Sequence, residues 1–180
     1  MPSQPPHSTK SAYQHKGECA EKELKFHYDT IKGRIAETLV QELFLNMNYC
    51  VYRYGMENTV PGILELLRGV NSDVAQDIRR MPDFVIQHKE SKEVYFIEVK
   101  FRADGYFDYK GLKSNYPYPN AFVILVSKKH IKCLSVKELQ ASQCFTPDCC
   151  NYLGNRREFD LDRDLVLKYC QFAVQFFQHV

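Results

Sequence analysis

Two runs of alternating side chains, residues 82–88 and 93–101, flank the polar stretch Lys89-Glu90-Ser91-Lys92 and limit the fold more than any other feature of the chain. In Met-Pro-Asp-Phe-Val-Ile-Gln-His, Phe84 and Ile86 share one face of an extended strand, while Asp83, Val85 and Gln87 share the other. In Glu-Val-Tyr-Phe-Ile-Glu-Val-Lys-Phe the same period puts Tyr95, Ile97, Val99 and Phe101 on one face and Phe96, Glu98 and Lys100 on the other. The polar stretch between them has turn composition, and a symmetric closure pairs His88 with Glu93 and therefore Asp83 with Glu98. Opposed residues on such a ladder have Cβ atoms about 5 Å apart. Two carboxylates that close repel one another unless a cation sits between them.

The expected cation is a hard divalent ion such as Mg²⁺, with Mn²⁺ as a substitute, because such ions take oxygen ligands and keep several waters. Lys100 shares the face of Glu98 and reaches whatever oxygen the ion holds. A lysine there orients or deprotonates a water, or offsets charge on a phosphate. The chemistry this predicts is metal-assisted hydrolysis of a phosphodiester. The plainer alternative is a cross-strand salt-bridge ladder on a solvated face. The apolar neighbours Val85, Val94 and Phe96 on that same face argue against it, since a charged trio among apolar side chains needs a partner.

Pro82-Asp83 followed by Glu98-Val99-Lys100 resembles the signature of the PD-(D/E)XK, or restriction-endonuclease-like, nuclease superfamily. Upstream, Lys32-Gly33-Arg34-Ile35-Ala36-Glu37 is similar to the Gly-x-x-x-Glu of the first helix in the Holliday junction resolvase branch. The resemblance spans roughly Lys32 to Ser127. It implies a restriction-endonuclease-like core with Asp83 and Glu98 as metal ligands, the Val99 carbonyl as a third, Lys100 as catalytic lysine and Glu37 as an auxiliary acid. It also implies a Mg²⁺-dependent endonuclease acting on nucleic acid, DNA before RNA, and admits a homodimer with one site per strand. The same fold serves as a scaffold that binds nucleic acid or a protein without cutting, so an inactive binding module is the competing expectation.

Ala36, Leu39, Val40, Leu43, Phe44 and Met47 recur at helical spacing and predict a helix packed on the sheet, with Glu37 at the margin of its apolar stripe. Helix is expected over 18–47 with a break near Lys32-Gly33, where Gly33 is read as removing a side chain from a close helix–sheet approach. Residues 1–17 read as a disordered tail, leaving a single domain over 18–180. That tail has no apolar run of signal-peptide type, and no segment approaches the roughly 20 apolar residues a membrane span needs. A soluble intracellular protein, cytoplasmic or nucleoid/nuclear, is the expectation, with no membrane partner.

Seven cysteines at irregular spacings do not form a secreted disulfide framework. The Cys144-Phe-Thr-Pro-Asp-Cys149-Cys150 cluster has no second Cys or His pair at zinc-finger spacing, so reduced thiols are expected there. The net charge of +2 does not mark a bulk nucleic-acid binder. The distribution is more telling: Arg79 and Arg80 precede Asp83, Arg102 follows Lys100, and Lys110 and Lys113 lie beyond, so Arg80, Arg102, Lys110 and Lys113 are the expected substrate contacts.

Further along the chain, 49–54 reads as a strand. A short helix led by Pro61 is expected to bury Ile63, Leu66 and Leu67. Residues 121–127 and 131–135 are two more strands, and Ser135-Val136-Lys137-Glu138 carries a capping-box pattern. A terminal helix over 161–180 is expected to present Leu165, Tyr169, Phe172, Ala173 and Phe176 as an apolar face, read as core, with an exposed part of it as the alternative that would mediate a dimer. The element order predicts an α/β fold with a mixed central sheet of about four or five strands flanked by helices.

Overall fold

The computed structural model describes residues 10–55, 60, 62–112 and 115–178, with the side chains of 10–20 and Leu64 set aside. Five strands form one mixed sheet in sequence order: β1 (Tyr49–Arg53), β2 (Phe84–His88), β3 (Val94–Phe101), β4 (Phe122–Val126) and β5 (Ile131–Ser135). Only β3 and β4 run parallel; every other neighbouring pair is antiparallel. The helices are α1 (Lys10–Leu45), α2 (Ile63–Leu66), α3 (Asp73–Arg79), α4 (Val136–Gln140) and α5 (Arg163–Phe177). The expected α/β class and strand number are what the chain adopts.

The β2–β3 register is Phe84 with Ile97, Val85 with Phe96 and Ile86 with Tyr95. Continued one residue, it sets Asp83 opposite Glu98, as the alternation requires. The turn is held by the buried His88, whose Nδ1 accepts the Ser91 N–H at 3.0 Å and whose own N–H bonds the Glu93 carbonyl at 2.9 Å. Lys92 completes the turn at φ 62.

Each sheet face has its own core. Ala36, Val40, Leu43 and Phe44 of α1 and Val166, Ala173 and Phe177 of α5 cover one face with Phe84, Ile86 and Ile97. On the other, Phe107, Leu112, Tyr116, Val123, Leu125, Leu139 and Phe145 enclose a second cluster, with Phe96 against it. Burial on both faces explains the unbroken apolar run of β4. The 102–121 connection is long enough for a parallel crossover. Among its described residues the one helical element is a short 3₁₀ turn, Tyr109–Gly111, and the connection's aromatic side chains close the second face as a helix would.

Four expectations need correction. First, α1 is unbroken across Lys32-Gly33, and its helical backbone begins at Lys10, so residues 10–17 are helix instead of tail. A Cβ added at Gly33 would meet nothing within 4 Å, so close packing does not demand the glycine. Second, of the three apolar residues expected to anchor α2, only Leu67 is buried, while Leu66 is exposed. The element is a single turn and can present only one side to the core. Pro61 lies outside the described residues. Third, Phe172 and Phe176 of α5 are exposed, and the buried stripe is Val166, Tyr169, Ala173 and Phe177. That stripe is turned into the core shared with α1, and at its end Phe177 stacks on Phe101 of β3 at 4.2 Å. Fourth, α5 starts at Arg163 and not at residue 161, because Asp162 is its N-cap, whose Oδ1 accepts the Asp164 N–H at 2.9 Å.

Candidate active site

Strand β2 begins at Phe84, so β3 runs past it from Glu98 to Phe101 with β4 on one side and a notch on the other. A cavity of about 570 Å³ fills this notch. Asp83, Glu98, Val99 and Lys100 line its floor, and α1 contributes Lys32 and Glu37 from one face of the sheet. Leu112 and Tyr116 close it from the other face, and Arg79, Arg80 and Arg102 lie at its sides.

Local bonding fixes the acids. The Val99 N–H donates to Asp83 Oδ2 at 2.7 Å. Glu98 is 8% exposed; Oε1 accepts from the Lys100 ammonium, and Oε2 accepts the Tyr116 hydroxyl at 3.2 Å. Backbone parity adds a third oxygen. His88 and Glu93 form a hydrogen-bonded pair, so the odd-numbered residues of β3, Val99 included, turn their backbone groups toward β2. The residue opposite Val99 in the continued register is Pro82, which has no N–H to give, and the Val99 carbonyl is left beside the cavity.

Burial, followed by repulsion from Glu98, pushes the Asp83 carboxyl well above the usual carboxylate range, and nearby Lys100 only partly offsets this. Burial disfavours the charged form of Lys100 as well. The attraction of Glu98 and Asp83 outweighs it and holds the ammonium above the ordinary lysine value. Burial and the adjacent Glu98 also raise the Tyr116 phenol, so it stays a hydroxyl donor. The floor therefore holds two carboxylates against one ammonium.

That donor set suits Mg²⁺ or Mn²⁺: two carboxylates and a peptide carbonyl, all hard oxygens, with unbalanced negative charge on Asp83 and Glu98. Among the described residues, no three His, Cys, Asp or Glu side chains form a ready metal cluster. The available ligands are two side chains and one carbonyl, with the remaining positions left to water or substrate. Glu37 lies close enough to raise the Asp83 carboxyl further, and its Oε2 is 3.7 Å from the Arg53 guanidinium.

The structure thus gathers Glu37, Asp83, Glu98, Val99, Lys100, Arg80 and Arg102 at one cavity. Arg80 donates to Gln76 Oε1 at 2.6 Å, and Arg102 lies over the Phe107 ring at 5.5 Å. Lys110 is exposed on the 3₁₀ turn and does not line the cavity; its neighbours Gly111 and Leu112 do. Lys113 lies outside the described residues. Sequence reasoning had missed Tyr116 as a partner of Glu98, and Lys32, whose ammonium is 3.8 Å from Asp29 at the cavity mouth. Tyr116 carries no local signal, because a tyrosine in a Tyr-rich loop reads the same whether it packs or bonds a carboxylate. Lys32 was readable only as part of the Lys32–Glu37 run.

No helix among the described residues is long and apolar enough to cross a membrane. The chain matches no known family model, and no curated protein is significantly similar to it.

Proposed function

We propose that the protein is a metal-dependent phosphodiester hydrolase of the restriction-endonuclease-like type, cutting nucleic acid, with DNA as the favoured substrate. One observation carries the reading: the hairpin register sets Asp83 against Glu98, with Lys100 on the same strand, in a cavity also lined by Lys32, Arg79, Arg80 and Arg102. Acids at the floor with cations at the sides suit a phosphate that must be held and attacked.

Asp83, Glu98 and the Val99 carbonyl would hold Mg²⁺ or Mn²⁺. Once bound, the ion lowers the pKa of its water and offsets charge on the phosphoryl oxygens. The protein's own contribution is positional. The Val99 N–H fixes the rotation of the Asp83 carboxylate, and Tyr116 fixes that of Glu98. The Lys100 ammonium sits beside Glu98, where it faces a phosphate oxygen, and Arg80 and Arg102 steer the chain of phosphates across the cavity mouth. Glu37, paired with Arg53, adds negative charge on the α1 side and orients solvent toward Asp83.

One feature favours an inactive module that binds nucleic acid or a protein: both oxygens of Glu98 already have donors, Lys100 and Tyr116. Cleavage of labelled linear, branched and single-stranded DNA and of RNA, in Mg²⁺, Mn²⁺ or EDTA, separates the two. Cutting that requires metal and is abolished in Asp83→Ala and Lys100→Ala supports the hydrolase. If the wild type cuts nothing, and calorimetry detects no Mg²⁺ or Mn²⁺ binding that Asp83→Ala removes, the binding module stands.

A further inference from the structure

Lys132 of β5 is 2% exposed, and among the described residues no carboxylate forms an ion pair with its ammonium. Nζ instead donates to the carbonyls of Thr146 at 2.7 Å and Pro147 at 2.8 Å, and approaches Cys149 Sγ at 3.6 Å. The Tyr152 ring lies 5.5 Å away. The segment after Cys149 covers the open side of β5, where the Cys133 N–H bonds the Asn151 carbonyl at 2.8 Å and Lys132 bridges to Tyr152. Lys132 is thereby sealed under the loop. A buried ammonium carries a large desolvation penalty unless an anion accompanies it. Of the three groups that Nζ contacts, the two carbonyls supply dipoles but no charge, and the Cys149 sulfur is the one able to become an anion. Asp104, His130 and Asp148 line the adjoining cavity, and neither carboxylate forms an ion pair with Lys132 among the described residues.

The surroundings of that sulfur suit an anion. The Thr146 N–H points at Sγ from 3.4 Å, the Asn151 N–H is a second backbone donor, and Lys132 is the third. We infer that Cys149 is a thiolate paired with Lys132 and is a modification site for hydroperoxides. In that step the sulfur lone pair forms an S–O bond, the O–O bond breaks, and the departing hydroxide or alkoxide takes up a proton, leaving a sulfenic acid. Burial acts to raise the Cys149 thiol, and the backbone donors and Lys132 outweigh it, so its pKa falls below the ordinary thiol value. Cys149 is half-buried, whereas Cys133 is fully enclosed and its thiol is pushed up by burial. The pair lies outside the nuclease-like cavity, and its assignment does not depend on the reading of that cavity.

Cys150, exposed on the same peptide, is an internal reference. The full chain is pulsed with iodoacetamide between pH 5.5 and 8.5, and alkylation of each cysteine is followed by mass spectrometry. An ordinary thiol, with a pKa of about 8.5, gains rate almost tenfold per pH unit up to roughly pH 7.5. Cys149 should instead vary little above pH 7 and exceed Cys150 at pH 6.5 by at least tenfold. Lys132→Met should bring Cys149 down to the Cys150 rate at pH 6.5. With hydrogen peroxide and dimedone, the sulfenic adduct should appear on Cys149 before Cys150. A Cys149 profile as steep as that of Cys150 overturns the thiolate, and a wild-type rate retained in Lys132→Met overturns its pairing with Lys132. Dimedone labelling that favours Cys150 overturns the hydroperoxide assignment. If Lys132→Met does not fold, the wild-type pH profile still decides between thiol and thiolate.

Discussion

At Asp83, what suits a metal conflicts with what suits a folded chain. Its carboxylate is half-buried beside Glu98, and the bond from the Val99 N–H does not cancel the repulsion. Asparagine keeps an oxygen for the Val99 N–H while removing the charge. In EDTA, Asp83→Asn should therefore raise the Tm by a few degrees, about 1 kcal/mol for a domain of this size. It should also abolish the metal-dependent cutting proposed for the wild type. Differential scanning calorimetry with and without Mg²⁺ checks both halves, since Mg²⁺ should stabilise the wild type and leave the variant unmoved. A lower Tm in EDTA would mean that Lys100 needs Asp83 more than Glu98 resists it. The pairing behind this conflict was legible in the sequence, because alternation and a polar turn fix a hairpin's register. The Tyr116 contact to Glu98 and the Lys132 contact to Cys149 were not, because each joins residues brought together only when loops fold over the sheet.

At the scale of elements, α1 and α4 make opposite cases. Gly33 lies mid-helix with open space around its missing Cβ, so the glycine contributes backbone freedom and no packing. Gly33→Ala should stabilise the protein by about 0.5–1 kcal/mol, read as an upward Tm shift. The short α4 is held by its start: Ser135 and Glu138 form a capping box, and the other Glu138 oxygen accepts from Arg156 at 2.9 Å. Although burial opposes the charged form, the bonds from Arg156 and Ser135 hold the Glu138 carboxyl below its usual value. A carboxyl lowered on folding stabilises the native state above its unfolded pKa, about 4.3, and that contribution is lost as pH falls through the folded value. Glu138→Gln keeps a capping oxygen but loses the charge facing Arg156, so it should cost about 1–2 kcal/mol at pH 7. Thermal melts of both proteins from pH 7 to pH 3 should converge at the acid end. The capping box was legible because its signal is four adjacent residues. The buried face of α5 was misread because Tyr169 and Ala173 fit both the expected stripe and the observed one, and only packing into the core shared with α1 selects between them.

Across the whole molecule, stability is distributed unevenly along α1. Between Ala36 and Phe44 the helix lies on the sheet, with Ala36, Val40, Leu43 and Phe44 at 0–1% exposure, but every side chain from Glu21 to Asp29 is exposed. The 36-residue helix thus has a packed C-terminal part and an N-terminal arm whose described side chains touch little else. A helix gains most of its stability from tertiary packing, and one of about 15 residues is marginal alone in water. The arm should open locally without unfolding the domain. Amide exchange should therefore find the N–H groups of 14–28 exchanging orders of magnitude faster than those of 38–44, with the latter tracking global unfolding. Deleting residues 1–20 should leave the Tm within about 1 °C, because the buried residues of α1, among those described, begin only at Ala36. Equal protection along the entire helix would contradict this division and mean that the arm is held by contacts of its own. The cavity residues Lys32 and Glu37 sit where the packed part begins, so the site keeps a rigid wall whatever the arm does.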